Sequence, residues 1–210
     1  MTDDRLVRAL GVAARLHRTQ LRKGTRIPYL SHLLGTCAIA LQFGADEDQA
    51  IAALLHDAIE DVEPTQVARS EVAKFGPEVL RIVEACTDSD THPKPPWRGR
   101  KESYIARLAH EDRAVLLVSA SDKLDNARAI VTDLRRIGPA LWDRFGSGRE
   151  QLWYYRALVA AFRSNPEHQP ALIDELHHKV SEMERLAASD RWVAVDSGRA
   201  EVAERQTRRT

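Results

Sequence analysis

Apolar residues along most of the chain recur at the three-to-four spacing of helices, and no run alternates in the manner of a strand. A first helix is predicted over residues 3–18, with Leu6, Leu10, Ala13 and Leu16 inward. The basic connector that follows, Gln20 to Tyr29, is interrupted by Gly24 and Pro28. Ser31 has the chemistry of an N-cap for a helix over 31–43. Gly44 ends that helix, and Asp46 caps the next, which is predicted to continue to Asp61. Glu63-Pro64-Thr65 reads as a turn with proline at a helix start. Helices over 65–75 and 78–86 follow, separated by Gly76-Pro77. Residues 87–100, with Pro93, Pro95 and Pro96, form the longest irregular stretch, and helix resumes near Lys101. A long helix over 114–136 starts from Asp112 and closes at Gly138-Pro139. A short turn at Leu141-Trp142 and helices over 150–162 and 169–188 complete an all-α domain spanning 1–188. Residues 189–210 are polar, with Trp192 and Val193 as the only plausible anchors, and read as a tail of uncertain order.

The wheel of the third helix carries the chemistry. Ile51, Leu55, Ala58, Ile59 and Val62 gather on one side; His56, Asp57, Glu60 and Asp61 gather on the other. Two readings are open for this polar face. It is a solvated stripe, as most are, or a site for a metal or a proton transfer. Solvated stripes mix in Lys, Arg or Gln, and this one has none. Three carboxylates without a cation also repel one another.

Composition narrows the class. In 210 residues, Lys+Arg and Asp+Glu each number 31, so the formal net charge is zero, whereas a general nucleic-acid binder carries a basic excess. The opening MTDDRLVRAL lacks the apolar run of a signal peptide, and no segment approaches the ~20 apolar residues of a membrane span. Cys37 and Cys86, both in apolar helical contexts, read as buried free thiols of a cytoplasmic protein.

A divalent metal needs further ligands. His32 opens the helix preceding the motif helix. Asp122 follows the apolar run Val115-Leu116-Leu117-Val118, where a carboxylate is costly to bury without a partner. An exposed Asp122 paired with Lys123 or Arg128 is the alternative. Two histidine nitrogens with two aspartate oxygens suit Mn, Fe, Zn or Co better than Ca.

The order His32, His56-Asp57, Asp122 resembles the HD phosphohydrolase superfamily. The fuller series is Arg22-Lys23, Pro28-Tyr29, His32, Leu54-Leu55-His56-Asp57 with Glu60-Asp61, then Ser121-Asp122-Lys123-Leu124 with Asn126. It resembles the hydrolase domain of the RelA/SpoT homologues, and in length a stand-alone small alarmone hydrolase. The resemblance implies a compact multi-helix HD-domain bundle with a metal-centred cleft. It implies that His32, His56, Asp57 and Asp122 hold a metal, usually manganese, and that Glu60 and Asp61 polarise the attacking water. It assigns Arg22 to the purine base, Lys23 to phosphate, Asn126 to the ribose, and Lys94, Arg98 and Lys101 to phosphates. A late-helix Arg and Tyr pair would fall on Arg149 and one of Trp153, Tyr154 or Tyr155, with Tyr154 preferred.

The implied substrate is a purine nucleotide alarmone. The implied reaction is metal-dependent 3′-pyrophosphohydrolysis of guanosine tetra- or pentaphosphate, with adenosine alarmones or another nucleotide as the alternative. Neither a membrane nor nucleic acid is implied as a partner, and the oligomeric state is not legible. Two positions depart from the family pattern: Leu33 stands where proline is common, and Ala129 where a hydroxyl or acid is common. No nucleophile elbow or Gly-rich phosphate loop offers a covalent or backbone-cradle route. The other histidines, including His17, have no partner spacing and read as surface or structural.

Overall fold

The computed structural model describes residues 4–91 and 93–189. The expected tail therefore lies, apart from Ser189, outside the described residues, as does His92. The helices in chain order are α1 (Arg5–Leu16), α2 (Leu30–Gln42), α3 (Glu47–Leu55), α4 (Ala58–Asp61), α5 (Thr65–Ala73), α6 (Pro77–Cys86), α7 (Trp97–Leu108), α8 (Arg113–Ile137), α9 (Glu150–Ser164) and α10 (Pro170–Ala187), with a 3-10 segment at Gly138–Arg144 between α8 and α9. Among the described residues there is no strand, only a single antiparallel bridge between Leu21 and Pro28.

Caps set several boundaries where the sequence places them. Asp46 accepts from the Gln49 amide, and Gln49 returns a bond to the Asp46 amide, closing a capping box at α3. Asp112 accepts from the Val115 amide and starts α8. Three expectations need correction. Ser31 is not a cap, because α2 already begins at Leu30 after Tyr29 in helical conformation. The third helix does not run unbroken to Asp61. It stops at Leu55, His56-Asp57 forms a turn, and Asp57 (φ −95°, ψ 0°) leads into the single turn α4. The ring Nδ1 of His56 lies 2.9 Å from the Ala53 carbonyl and so takes up a helix-end acceptor. Helix α7 begins at Trp97 rather than Lys101, because Pro96 supplies the extended residue that precedes a first turn.

The core has two lobes. One gathers Ala9, Leu33, Ile51, Leu55, Ile59, Val72, Ile82 and Val83 from α1 to α6. The other gathers Leu116, Leu124, Leu134, Leu158, Phe162, Leu172 and Met183 from α8 to α10. Helix α8 joins them. Val115 and Val118 belong to the first lobe, while Leu116, Leu117 and Ala120 belong to the second. Every residue from Val115 to Asp122 is buried, as expected of a helix with neighbours all round. This places Asp122 at the seam between the lobes, facing α2 and the α3–α4 turn. Cys37 and Cys86 are buried free thiols. No described helix is long and apolar enough to cross a membrane.

Candidate active site

Four side chains from three places meet at this seam. Nε2 of His32 (α2) lies 3.1 Å from Asp122 Oδ1 and 3.6 Å from Asp57 Oδ2. Nε2 of His56 lies 2.9 Å from Asp57 Oδ2 and 3.6 Å from Asp122 Oδ1. The donor atoms of His32, His56 and Asp57 are close enough together to share one ion. Both histidine Nε2 atoms are buried, with these carboxylate oxygens as their neighbours. Two imidazole nitrogens and carboxylate oxygens turned to one buried point form a mixed N/O set that could hold a divalent cation.

The other ring nitrogens explain why Nε2 is the free one. His56 Nδ1 donates to the Ala53 carbonyl, which can only accept. His32 Nδ1 donates to Asp125 Oδ2 at 2.6 Å. With the proton on Nδ1, each neutral ring offers the Nε2 lone pair to the shared centre. His56 is thus buried and turned toward the seam, so at this residue the polar face of the helical wheel is not a solvated stripe. The break at His56-Asp57 swings the pair off the α3 axis.

Burial disfavours an imidazolium at His32, yet hydrogen bonds to Asp122, Asp125 and Asp57 outweigh it and push the ring up to about 9. His56 is likewise driven well above its usual value by Asp57 and Asp122 despite burial. Burial would raise Asp57 and Asp122, but both are held well below the usual carboxylate range, Asp57 by the two histidines and Asp122 by Lys123 and the histidines. Positive charge at this point is therefore favoured, and a divalent cation supplies it without protons. Tyr29 donates its hydroxyl to Asp57 Oδ2 at 2.6 Å and fixes that carboxylate.

Glu60 and Asp61 sit one turn further, joined by a lysine. Lys94 Nζ donates to Glu60 Oε1 at 2.8 Å and approaches Asp61 Oδ1 at 3.4 Å. The Asp88 amide donates to the other Glu60 oxygen at 3.3 Å. Burial first, then the charges of Asp88 and Asp57, push the Glu60 carboxyl up; Lys94 opposes them. Gln20 Nε2 donates to Asp61 Oδ2 at 2.9 Å, and its own carbonyl accepts from His17 Nδ1 at 2.6 Å. His17 is buried and stacked on Tyr29, so it is a structural part of this wall.

A cavity of about 280 Å³ opens beside the cluster. Arg22, Lys23, Tyr29, Lys101, Lys123, Asn126, Ala129, Tyr154 and Tyr155 are on its walls, with Arg144 and Asp133 also lining it. The connector reaches it through a tight turn. Gly24 adopts φ +68°, where a side chain is strained, and a Cβ there would sit 2.7 Å from the Arg144 side chain. Arg22 Nη2 donates to Asn126 Oδ1 at 2.9 Å, and Asn126 Nδ2 donates to Asp122 Oδ1 at 2.6 Å. The Tyr154 hydroxyl is buried without a partner.

Three candidates from the sequence, Arg98, Arg149 and Lys94, are not brought to this cavity. Arg98 is exposed, stacks over the Trp153 ring at 3.2 Å and bonds Glu102. Arg149 is exposed and donates to the Ala187 carbonyl at the end of α10. Lys94 lies on the Glu60-Asp61 pair rather than in the cavity. Lys101 lines the cavity and pairs with the nearly buried Asp88, which also holds Arg100. Sequence reasoning gave no site role to Gln20, Asp88, Arg100, Lys123 or Asp125. Lys123 and Asp125 had a signal, since they lie one and three residues from Asp122 on the same helix. The others had none, because their partners are distant in sequence.

Residues 9–153 match the HD domain family. The chain belongs to that family. It is 38% identical over 141 residues to the guanosine-3′,5′-bis(diphosphate) 3′-pyrophosphohydrolase MESH1 of Homo sapiens, covering 65% of this chain and 73% of that one. To the Mus musculus protein of the same name it is 37% identical over 171 residues, covering 80% and 90%. A solved structure described as a metazoan ortholog of SpoT that hydrolyzes ppGpp and plays a role in starvation responses superimposes with a TM-score of 0.67 at 28% identity, over 90% of this chain and 98% of that one. The matched region of this HD domain contains the whole His-Asp cluster, the Glu60-Asp61 pair and most of the cavity wall, and stops within α9 at residue 153.

Proposed function

We propose that this protein is a metal-dependent 3′-pyrophosphohydrolase of guanosine tetra- and pentaphosphate, yielding GDP or GTP and pyrophosphate. The observation that carries this reading is a buried His-Asp cluster able to share one ion, set against a cavity with Arg22, Lys23, Lys101 and Lys123 on its walls. The relatives' printed activities support the substrate class. We further propose that His32, His56, Asp57 and Asp122 hold the metal, that manganese is the resident ion, and that the domain acts in the cytoplasm and closes by about residue 188.

The chain's own residues then divide the work. A bound divalent metal would acidify water and polarise a phosphate oxygen. Glu60 takes a proton from the attacking water; burial and the charges of Asp88 and Asp57 raise its proton affinity, the direction that strengthens a base. Lys94 keeps Glu60 and Asp61 from repelling each other. Lys23, Lys101 and Lys123 offset phosphate charge. Tyr154 and Tyr155 offer apolar faces to the nucleoside, and Arg22 meets the base. Adenosine alarmones are the second reading, kept open by Ala129, which lines the cavity wall.

Phosphorus NMR of the products from ppGpp and Mn²⁺ tests the assignment. Pyrophosphate as the first product is expected. Orthophosphate first, with a 3′-monophosphate intermediate, would refute it. Pyrophosphate from ppApp but not from ppGpp would keep the mechanism and change the base.

A further inference from the structure

Asp125 is one residue before Asn126, on the side of α8 that faces α2. Its Oδ2 accepts from His32 Nδ1 at 2.6 Å, and Arg22 Nη1 lies 3.4 Å from the same oxygen. The other polar neighbour of His32 Nδ1, the Thr36 hydroxyl, is at 3.5 Å, the limit of a hydrogen bond. Asp125 is thus the strong partner that decides which nitrogen of His32 carries the proton and how the ring is turned. The contact has a steric condition. Gly35 on α2 lies against the carboxylate, and a Cβ built there would meet Asp125 Oδ1 at 2.2 Å and Cγ at 2.9 Å. The aspartate side chain is short, so relief means rotating the carboxylate away from His32.

We propose that Asp125 is a positioning residue for metal retention, that Gly35 is its clearance, and that this one carboxylate ties the nucleotide side of the cleft to the metal side through Arg22. The carboxylate makes His32 a better ligand in two ways: it fixes the Nδ1–H tautomer, and it orients Nε2 toward Asp57 and Asp122 before any ion arrives. Outer partners of ligating histidines typically alter metal affinity by about 10–100-fold. Arg22 balances the added negative charge, so the carboxylate stays on the imidazole instead of turning to the ion. The inference rests on the metal reading of the site.

The test is Mn²⁺ titration of the metal-free protein by calorimetry, with visible spectra of the Co²⁺-loaded protein as a readout independent of turnover. Asp125→Ala is expected to weaken Mn²⁺ binding by about 10–100-fold and to alter the Co²⁺ bands. Asp125→Asn, which keeps an acceptor but not the charge, is expected to fall between Asp125→Ala and the wild type. Gly35→Ala is expected to reproduce Asp125→Ala, and the double variant to be no worse than either single one, because both break the same contact. If Gly35→Ala does not fold, the two Asp125 variants decide alone. Wild-type affinity and an unchanged Co²⁺ spectrum in Asp125→Ala would overturn the inference while leaving the metal reading intact. Absence of Mn²⁺ uptake by the wild-type protein would overturn both.

Discussion

Replacing Glu60 with glutamine separates chemistry from architecture. The two side chains have the same shape, and Glu60 is largely buried with two partners, Lys94 and the Asp88 amide. Losing the charge turns the Lys94 ion pair into a bond from an ammonium to a neutral amide oxygen, weaker by about 1 kcal/mol, and leaves the amide nitrogen facing the longer partner, the Asp88 amide at 3.3 Å. Relief from burying a carboxylate near Asp57 and Asp88 offsets part of that, and Lys94 keeps Asp61. The fold should therefore change little. The rate should change much more: removing a general base typically costs about 10²–10⁴-fold, or about 3–5 kcal/mol of barrier. Single-turnover release of pyrophosphate from ppGpp with saturating Mn²⁺ measures the chemical step, and calorimetric Mn²⁺ binding supplies the control. The wild type should also lose activity on acidification at a higher pH than an ordinary carboxylate would dictate. The base must be ionised, and burial with Asp88 and Asp57 raises its proton affinity; Lys94→Met, removing the opposing charge, should move that limb higher still. The linked stability has the matching sign. A raised folded value means that Glu60 contributes fully below its unfolded range and that the contribution is lost as pH rises through the folded value, a dependence absent in Glu60→Gln. A Glu60→Gln rate within threefold of wild type would refute the reasoning and assign the proton transfer to Asp61 or to the metal site alone.

Asp122→Asn should reduce Mn²⁺ uptake to background without changing helix content by circular dichroism. It should destabilise the protein in denaturant unfolding, by less than the about 3–5 kcal/mol of a fully buried pair, because the largely buried Lys123 loses its counter-ion. In the metal-free protein the carboxylates push His32 up to about 9, so Mn²⁺ binding at neutral pH should release protons and tighten as pH rises toward that value; calorimetry in buffers of different ionisation heat reads this directly. Arg22→Ala should act mainly on KM, since Arg22 lines the cavity and contacts Asn126 rather than the Glu60-Asp61 pair; a kcat defect with unchanged KM would instead point to transmission through Asp125.

Much of this protein is legible from one sequence because its signals are local. Helical periodicity, the Asp46 and Asp112 caps and the Gly-Pro breaks give the all-α class and most boundaries. The spacing of His32, His56-Asp57 and Asp122 names the residues that meet at the seam, because histidines and carboxylates clustered with buried apolar residues have few other uses. What only the tertiary structure decided depends on partners far apart in the chain. The turn at His56-Asp57 contains no breaker residue that would announce it; there His56 Nδ1 takes the Ala53 carbonyl and Nε2 faces the carboxylates. Lys94 lands on Glu60 and Asp61, and Gln20 on Asp61, through contacts spanning 34, 33 and 41 residues. Arg98 and Arg149 carry the same charge as Arg22, yet they face Trp153 and the end of α10. Asp125 reaches His32 across 93 residues because Gly35 leaves room for it. Charge and hydrogen-bonding capacity belong to the residue and can be read in one dimension. Direction and distance belong to the packed helices, and in this protein they select which of several equivalent cations, carboxylates and rings share the cleft.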